Sequence, residues 1–150
     1  VLGAGGSTRA AIFALLQAGA PEIRLSNRTR AKAEMLADAF GENVKVIEWS
    51  ERSSALASCG LLVNTTSLGM TGQPALDIVL EDLPSTAVVY DIVYSPLETP
   101  LLAAARARGN QGVDGLGMLL HQATPGFEAW FGVKPVVDTT LRDVILADLT

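Results

Sequence analysis

Val1-Leu2-Gly3-Ala4-Gly5-Gly6-Ser7-Thr8-Arg9 opens the chain, and its reading decides the fold. Val1-Leu2-Gly3 reads as the end of a strand, whose missing start is expected upstream because strands usually run about five or six residues. Thr8 to Ala18 is apolar nearly all round, the pattern of a helix packed on a sheet, with Gly19 as its C-cap. Between strand and helix, Gly3 permits a tight turn and Gly5 lets a phosphate approach the backbone. The helix N-terminus adds free N–H groups and partial positive charge. This is where a dinucleotide pyrophosphate sits in a strand–turn–helix unit. The third glycine of the usual pattern is Thr8 here, and a glycine-rich turn without a ligand is the plainer alternative.

Working outward, Glu22 to Ser26 reads as a strand. Thr29 to Phe40 reads as a helix with Ala33, Leu36, Ala37 and Phe40 on one face and Gly41 ending it. Val44 to Ile47 is a third strand, Ser50 to Ser58 a short helix, and Leu61-Leu62-Val63 a fourth strand. Thr71 to Ser85 carries Gly72, Pro74 and Pro84, so an irregular surface connection is expected. Ala87 to Asp91 makes a fifth strand. Thr99 to Arg108 makes a helix with Thr99 as N-cap, Pro100 in its first turn and Gly109 behind it. Gln111 to Val113 supplies a sixth strand. Strands alternating with helices predict an α/β fold, a doubly wound parallel sheet of six strands in the order 3-2-1-4-5-6. Extra C-terminal helices follow: Gly115 to Phe131, bent near Pro125-Gly126, then Thr139 to Leu149. The last helix gathers Leu141, Val144, Ile145 and Leu149 on one face and is expected to dock on a part of the protein outside this chain.

The 150 residues suit one domain with a continuous core, and a mean hydropathy of +0.32 suits a sheet covered on both faces. A net charge of −5 argues against nucleic acid or anionic membrane as the main partner. No apolar run reaches the roughly 18 residues of a membrane span. Cys59 is the single cysteine, so no internal disulfide forms and a reducing compartment is expected. His121, the single histidine, has no companion ligands for a metal and is given a structural or surface role; Trp130 and Phe131 read as interface or core aromatics.

At the end of the second strand, an NAD-binding domain generally places an acid on the ribose 2′-hydroxyl. Here stand Asn27-Arg28-Thr29-Arg30-Ala31-Lys32. A carboxylate would repel a 2′-phosphate, whereas a guanidinium forks onto its oxygens, each charged hydrogen bond being worth roughly 1.5–3 kcal/mol. NADP is therefore the expected cofactor. Arg28 is the expected phosphate ligand and Arg30 a solvated charge.

The glycine loop, Asn27-Arg28-Thr29 and Asn64-Thr65-Thr66-Ser67-Leu68-Gly69-Met70 together resemble the shikimate dehydrogenase family. So do Asp91-Ile92-Val93-Tyr94 with Thr99-Pro100-Leu101-Leu102, and Asp114 to Ala123. The blocks span nearly the whole chain in order. The resemblance implies a Rossmann-type NADP-binding domain in which Gly3, Ala4, Gly5, Gly6 and Ser7 hold the pyrophosphate. Asn27, Arg28, Thr29 and Lys32 surround the adenosine ribose and its 2′-phosphate. Thr66, Ile92, Gly115 and Met118 line the path to the nicotinamide, and Tyr94 and Gln122 reach the substrate. Independently, Tyr94 follows the carboxyl end of a strand, the edge at which doubly wound sheets bind ligands. Asn64 is read as a loop-organising amide without chemistry of its own.

The implied reaction is hydride transfer between NADPH and 3-dehydroshikimate to give shikimate, a cytoplasmic step of aromatic amino acid biosynthesis. Carbonyl reduction also needs a placed proton donor, and no catalytic residue stands out in this chain. In the family that donor is a lysine paired with an aspartate in a preceding domain. The expected partners are thus a small-molecule substrate and the protein's own N-terminal domain, with a homodimer left open; the isolated chain is expected to bind NADP without turnover. Two alternatives stay open: a relative that accepts quinate or uses NAD, and a non-catalytic NADPH-sensing module.

Overall fold

The computed structural model describes residues 1–149, with the side chain of Leu149, the last member of the expected apolar face, outside the described ones. The chain alternates strands and helices: α1 (Gly6–Gln17), β1 (Ile23–Ser26), α2 (Arg30–Phe40), β2 (Val44–Ile47), β3 (Leu61–Asn64), β4 (Val88–Asp91), α3 (Pro100–Ala107), β5 (Gln111–Val113), α4 (Leu116–Phe131) and α5 (Thr139–Leu149). All ladders are parallel. No helix of the described residues is long and apolar enough to cross a membrane.

Five strands in two sheets, β1-β2 and β3-β4-β5, stand where six in one sheet were expected. The first stretch is reduced to one residue, Leu2, which bridges Ser26 on one side and Asn64 on the other. Its N–H donates to the Val63 carbonyl at 2.8 Å, and its carbonyl accepts from Thr65 N–H at 2.9 Å. Gly3 then turns away with φ +114°, so no ladder continues beyond it.

Two apolar clusters hold the layers. Ile12, Ile23, Leu25, Ala33, Leu36 and Val44 pack α1 and α2 onto β1 and β2. Leu62, Val89, Leu101, Leu102 and Ala105 do the same for α3 and the other strands. Each fully buried leucine contributes roughly 1.5–3 kcal/mol. The face expected of α2 is seen: Ala33 and Leu36 are buried, with Ala37 and Phe40 packed beside them. α3 is capped as expected, Thr99 Oγ1 accepting from Leu102 N–H at 3.3 Å with Pro100 at its first position.

Two expectations are corrected. The helix predicted over Ser50 to Ser58 is two single 3₁₀ turns, Trp49–Glu51 and Ser54–Leu56. Serine hydroxyls there bond backbone instead, Ser54 Oγ to the Glu51 carbonyl and Ser53 Oγ from Val79 N–H. The segment from Thr71 to Ser85 is irregular but not a surface connection, since Leu76, Leu80 and Leu83 sink into the core. As expected, one helix, α4, runs through Pro125; the His121 carbonyl, deprived of its backbone partner by the proline, accepts the Thr124 hydroxyl at 2.8 Å. The aromatics Trp130 and Phe131 are not core; they stand 81% and 64% exposed. α5 starts on the Asp138 carboxylate, which accepts from Leu141 N–H. It is pinned by an Arg142–Asp114 ion pair of 2.6 Å and leaves Val144 exposed.

Gly115, before α4, is pressed against backbone: a Cβ there would stand 2.0 Å from the Ile92 carbonyl oxygen. Gly115→Ala is expected to destabilise the chain by at least 1–3 kcal/mol, roughly the cost of overpacking, read as a lower urea midpoint with unchanged slope.

Candidate functional site

Gly3 is buried because it passes within a hand's breadth of the next loop: an added Cβ would meet Thr65 Oγ1 at 2.6 Å and Thr8 Oγ1 at 3.2 Å. Thr8, in the place of a third glycine, is fully buried. Its hydroxyl accepts from Gly5 N–H at 3.0 Å and lies 2.6 Å from Thr65 Oγ1, which itself donates to the Leu2 carbonyl at 2.7 Å. Each hydroxyl has one proton, so the direction is fixed: Gly5 N–H to Thr8 O–H to Thr65 O–H to Leu2 C=O. The chain of bonds fastens the glycine turn to the end of β3. Gly5 and Gly6, by contrast, have nothing within 4 Å of an added Cβ. Together with the start of α1 they leave an open backbone cradle fit for a diphosphate.

At the end of β1, Asn27 Nδ2 donates to the Thr29 carbonyl at 2.8 Å and shapes the turn into α2. Arg28, Thr29 and Lys32 are exposed. Arg30 is neutralised by Glu34 at 2.7 Å and by Glu48. Neither Arg28 nor Lys32 has an ion-pair partner among the described residues.

Ser7, Thr66, Ile92, Tyr94, Met118 and Gln122 line one cleft of about 570 Å³ at the carboxyl ends of the strands. Its remaining lining residues are Thr65, Ser67, Met70, Thr71, Val93 and Ser95, so hydroxyls, one amide and apolar groups face it and no charged side chain does. Met118 and Gln122, four apart on α4, share a face. Gly115 is not brought to the lining; it lies buried against the backbone of Ile92 and Val93. His121 is exposed, and no group of acids, His and Cys suited to a metal occurs among the described residues. A second cleft of about 520 Å³ lies among Leu15, Ile23, Arg24, Cys59 and Leu61 and contains none of the expected site residues.

Under the main cleft lies a polar cluster that the sequence did not announce. Asn64 and Asp91 end β3 and β4 in register, both fully buried. Asp91 Oδ1 accepts from Asn64 Nδ2 at 2.9 Å and Val93 N–H at 3.1 Å, and Oδ2 accepts from Thr99 Oγ1 at 2.7 Å. Asn64 Oδ1 accepts from Thr66 N–H and Oγ1 at 3.0 and 2.7 Å, and Nδ2 also donates to the Leu68 carbonyl. Asn64 is thus the loop organiser expected of it. The available signal was an Asp ending one buried strand in line with an Asn ending its neighbour. Burial raises the Asp91 pKa above its ordinary 3.8, against the lowering effect of bonds from Thr99, Val93 and Asn64.

Parallel strands, covering helices and a cleft at the strand carboxyl ends define an α/β domain of the Rossmann-like class. The family model for shikimate / quinate 5-dehydrogenase matches residues 1–92, and that for the shikimate 5′-dehydrogenase C-terminal domain matches residues 115–142. The chain belongs to the shikimate / quinate 5-dehydrogenase family. Curated relatives include the shikimate dehydrogenase (NADP(+)) of Paramagnetospirillum magneticum, 60% identical over 98% of this chain and 53% of the relative. That of Dinoroseobacter shibae is 61% identical over 99% and 53%. The chain therefore spans about half the length of the curated relatives it matches. Among solved structures, a Corynebacterium glutamicum quinate dehydrogenase in complex with NAD superposes with TM-score 0.88 at 32% identity, covering 97% of this chain and 53% of that one. A Thermus thermophilus shikimate 5-dehydrogenase in complex with NADP(H) and shikimate gives 0.75 at 36%, covering 90% and 49%.

Thr8→Val removes the middle hydroxyl of the relay and is expected to cost about 1–2 kcal/mol in stability, whereas Thr8→Ser retains most of it; chemical denaturation of both variants separates the hydroxyl from the methyl. A second expectation concerns pH. With its folded pKa raised, Asp91 contributes stability that is complete below 3.8 and is lost as pH rises through the folded value. The difference in unfolding free energy between wild type and Asp91→Asn should shift in favour of the variant over that window, and a flat difference would contradict the buried, cation-free setting.

Proposed function

We propose that this chain is the NADP-binding half of an NADP-dependent shikimate dehydrogenase, which transfers hydride between NADPH and 3-dehydroshikimate in the cytoplasm. The observation that carries the reading is Arg28, with Lys32, at the end of β1, neither of which has an acid as ion-pair partner among the described residues. Gly3 to Ser7 bind the diphosphate, with Gly5 and Gly6 as the open cradle. Asn27, Arg28, Thr29 and Lys32 hold the adenosine ribose and its phosphate. Thr66, Ile92 and Met118 border the nicotinamide, and Gly115 supports that border from behind. When bound, the cofactor supplies the hydride. Tyr94 and Gln122 offer a phenol and an amide to the substrate from the wall of the cleft. The cleft lining supplies no lysine, histidine or carboxylate, so the proton donor is assigned to a part of the protein outside this chain. The bridges of Leu2 to Ser26 and Asn64 support the expected six-strand order, with the stretch ending at Leu2 as its central strand between β1 and β3.

The NAD-using quinate dehydrogenase has the higher TM-score, which keeps a quinate- and NAD-dependent reading in view. Overall shape does not separate the two cofactors, because both present the same diphosphate and nicotinamide, and the discrimination rests on the 2′-position. Arg28→Ala is expected to weaken NADP binding about 10- to 100-fold, the loss of one or two charged hydrogen bonds, with NAD affinity changed less than about twofold. Calorimetric titration of both cofactors measures it, and an unchanged NADP/NAD preference would favour the second reading.

A further inference from the structure

We infer that Asp91 is the positioning residue of the cleft, setting the spacing of the two loops that line it without touching either ligand. The inference rests on the cleft being where nicotinamide and substrate meet.

Thr66, Ile92 and Tyr94 all line the cleft, and they belong to loops leaving two neighbouring strands, β3 and β4. The direct backbone bond from Ile92 N–H to the Asn64 carbonyl, 3.1 Å, ends the ladder there. Beyond it, the two loops are tied at their outer end by the Thr71 N–H bond to the Ser95 carbonyl, 2.8 Å, and at their base by the buried carboxylate. One oxygen of Asp91 takes the Val93 N–H, between Ile92 and Tyr94, and simultaneously the Asn64 amide, whose own oxygen takes both polar groups of Thr66. The other oxygen takes the Thr99 hydroxyl, the cap of α3. Three donors converge from three segments, and only a group with acceptors on both atoms satisfies all of them. Asparagine keeps one acceptor oxygen for Asn64 and Val93 and turns an NH₂ toward Thr99, which is a partial substitute. Alanine leaves the Val93 N–H and the Thr99 hydroxyl without an acceptor and the Asn64 amide with the Leu68 carbonyl alone. No cation pairs with Asp91 among the described residues, so its role in the fold is geometric rather than that of an ion pair.

The test uses the full-length enzyme with Asp91→Ala and Asp91→Asn. Adenosine 2′,5′-bisphosphate, which lacks the nicotinamide half, reads the adenosine end alone; NADP affinity reads both ends; kcat reads the alignment. For Asp91→Ala, kcat should fall roughly 10²-fold, the scale of a 1 Å misplacement. NADP affinity should fall at least fivefold, and bisphosphate affinity should stay within about twofold. Asp91→Asn should recover at least tenfold of the kcat loss. If the alanine variant does not fold, Asp91→Asn alone should show a reduced kcat with unchanged bisphosphate affinity. Unchanged kcat in a folded variant, or equal losses at both ends of the cofactor, would overturn the positioning role while leaving the cofactor assignment intact. Failure of wild-type enzyme to bind the bisphosphate would instead overturn the cofactor assignment on which it rests.

Discussion

The hydrogen-bonded run from Gly5 through Thr8 and Thr65 to Leu2 is the constraint on which the site depends. It is short, buried and one-directional, and it crosses from the first helix to the loop after β3. Because Gly3 has no Cβ, the two hydroxyls fit where a side chain would have stood. The same absence lets the turn tuck under α1, so that Gly5 and Gly6 face outward. Neighbouring backbone is thereby held rigid on its inner side and bare on its outer side, which is the combination a diphosphate-binding turn requires.

A second polar cluster does for the far end of the cleft what the hydroxyl run does for the near end. Both are built where parallel strands stop and their side chains can reach sideways to the next loop. Both use fully buried groups with every proton assigned, a stiff arrangement in a low-dielectric interior. They differ in charge. The near cluster is neutral throughout, whereas the far one contains a carboxylate whose ionisation burial resists, against the favourable pull of the donors bonded to it.

Much of this was legible in the chain itself, for physical reasons. The glycine turn, the helix caps at Thr99 and Pro100, and the apolar face of α2 are local signals, each set by backbone geometry or periodicity within a dozen residues. The split between Arg28 and Arg30 could also be read, since Glu34 stands one helical turn from Arg30. What stayed hidden was long-range. Thr8 bonds Thr65, 57 residues away, and Asp91 bonds Asn64, 27 away; no local pattern encodes such pairs. The buried leucines between Thr71 and Ser85 were missed because glycine and proline there mark irregular backbone, which is a different property from exposure. Gly115 was assigned to the lining, yet its requirement is contact with the backbone of Ile92 and Val93.

The two tryptophans occupy opposite environments. Trp49 is half-buried, with the guanidinium of Arg52 4.8 Å above its ring, while Trp130 stands almost bare on α4. Emission from this chain is therefore the sum of a shielded fluorophore and a solvated one. Iodide quenches the second selectively, and whatever surface comes to rest on α4 announces itself as a blue shift without any label being attached.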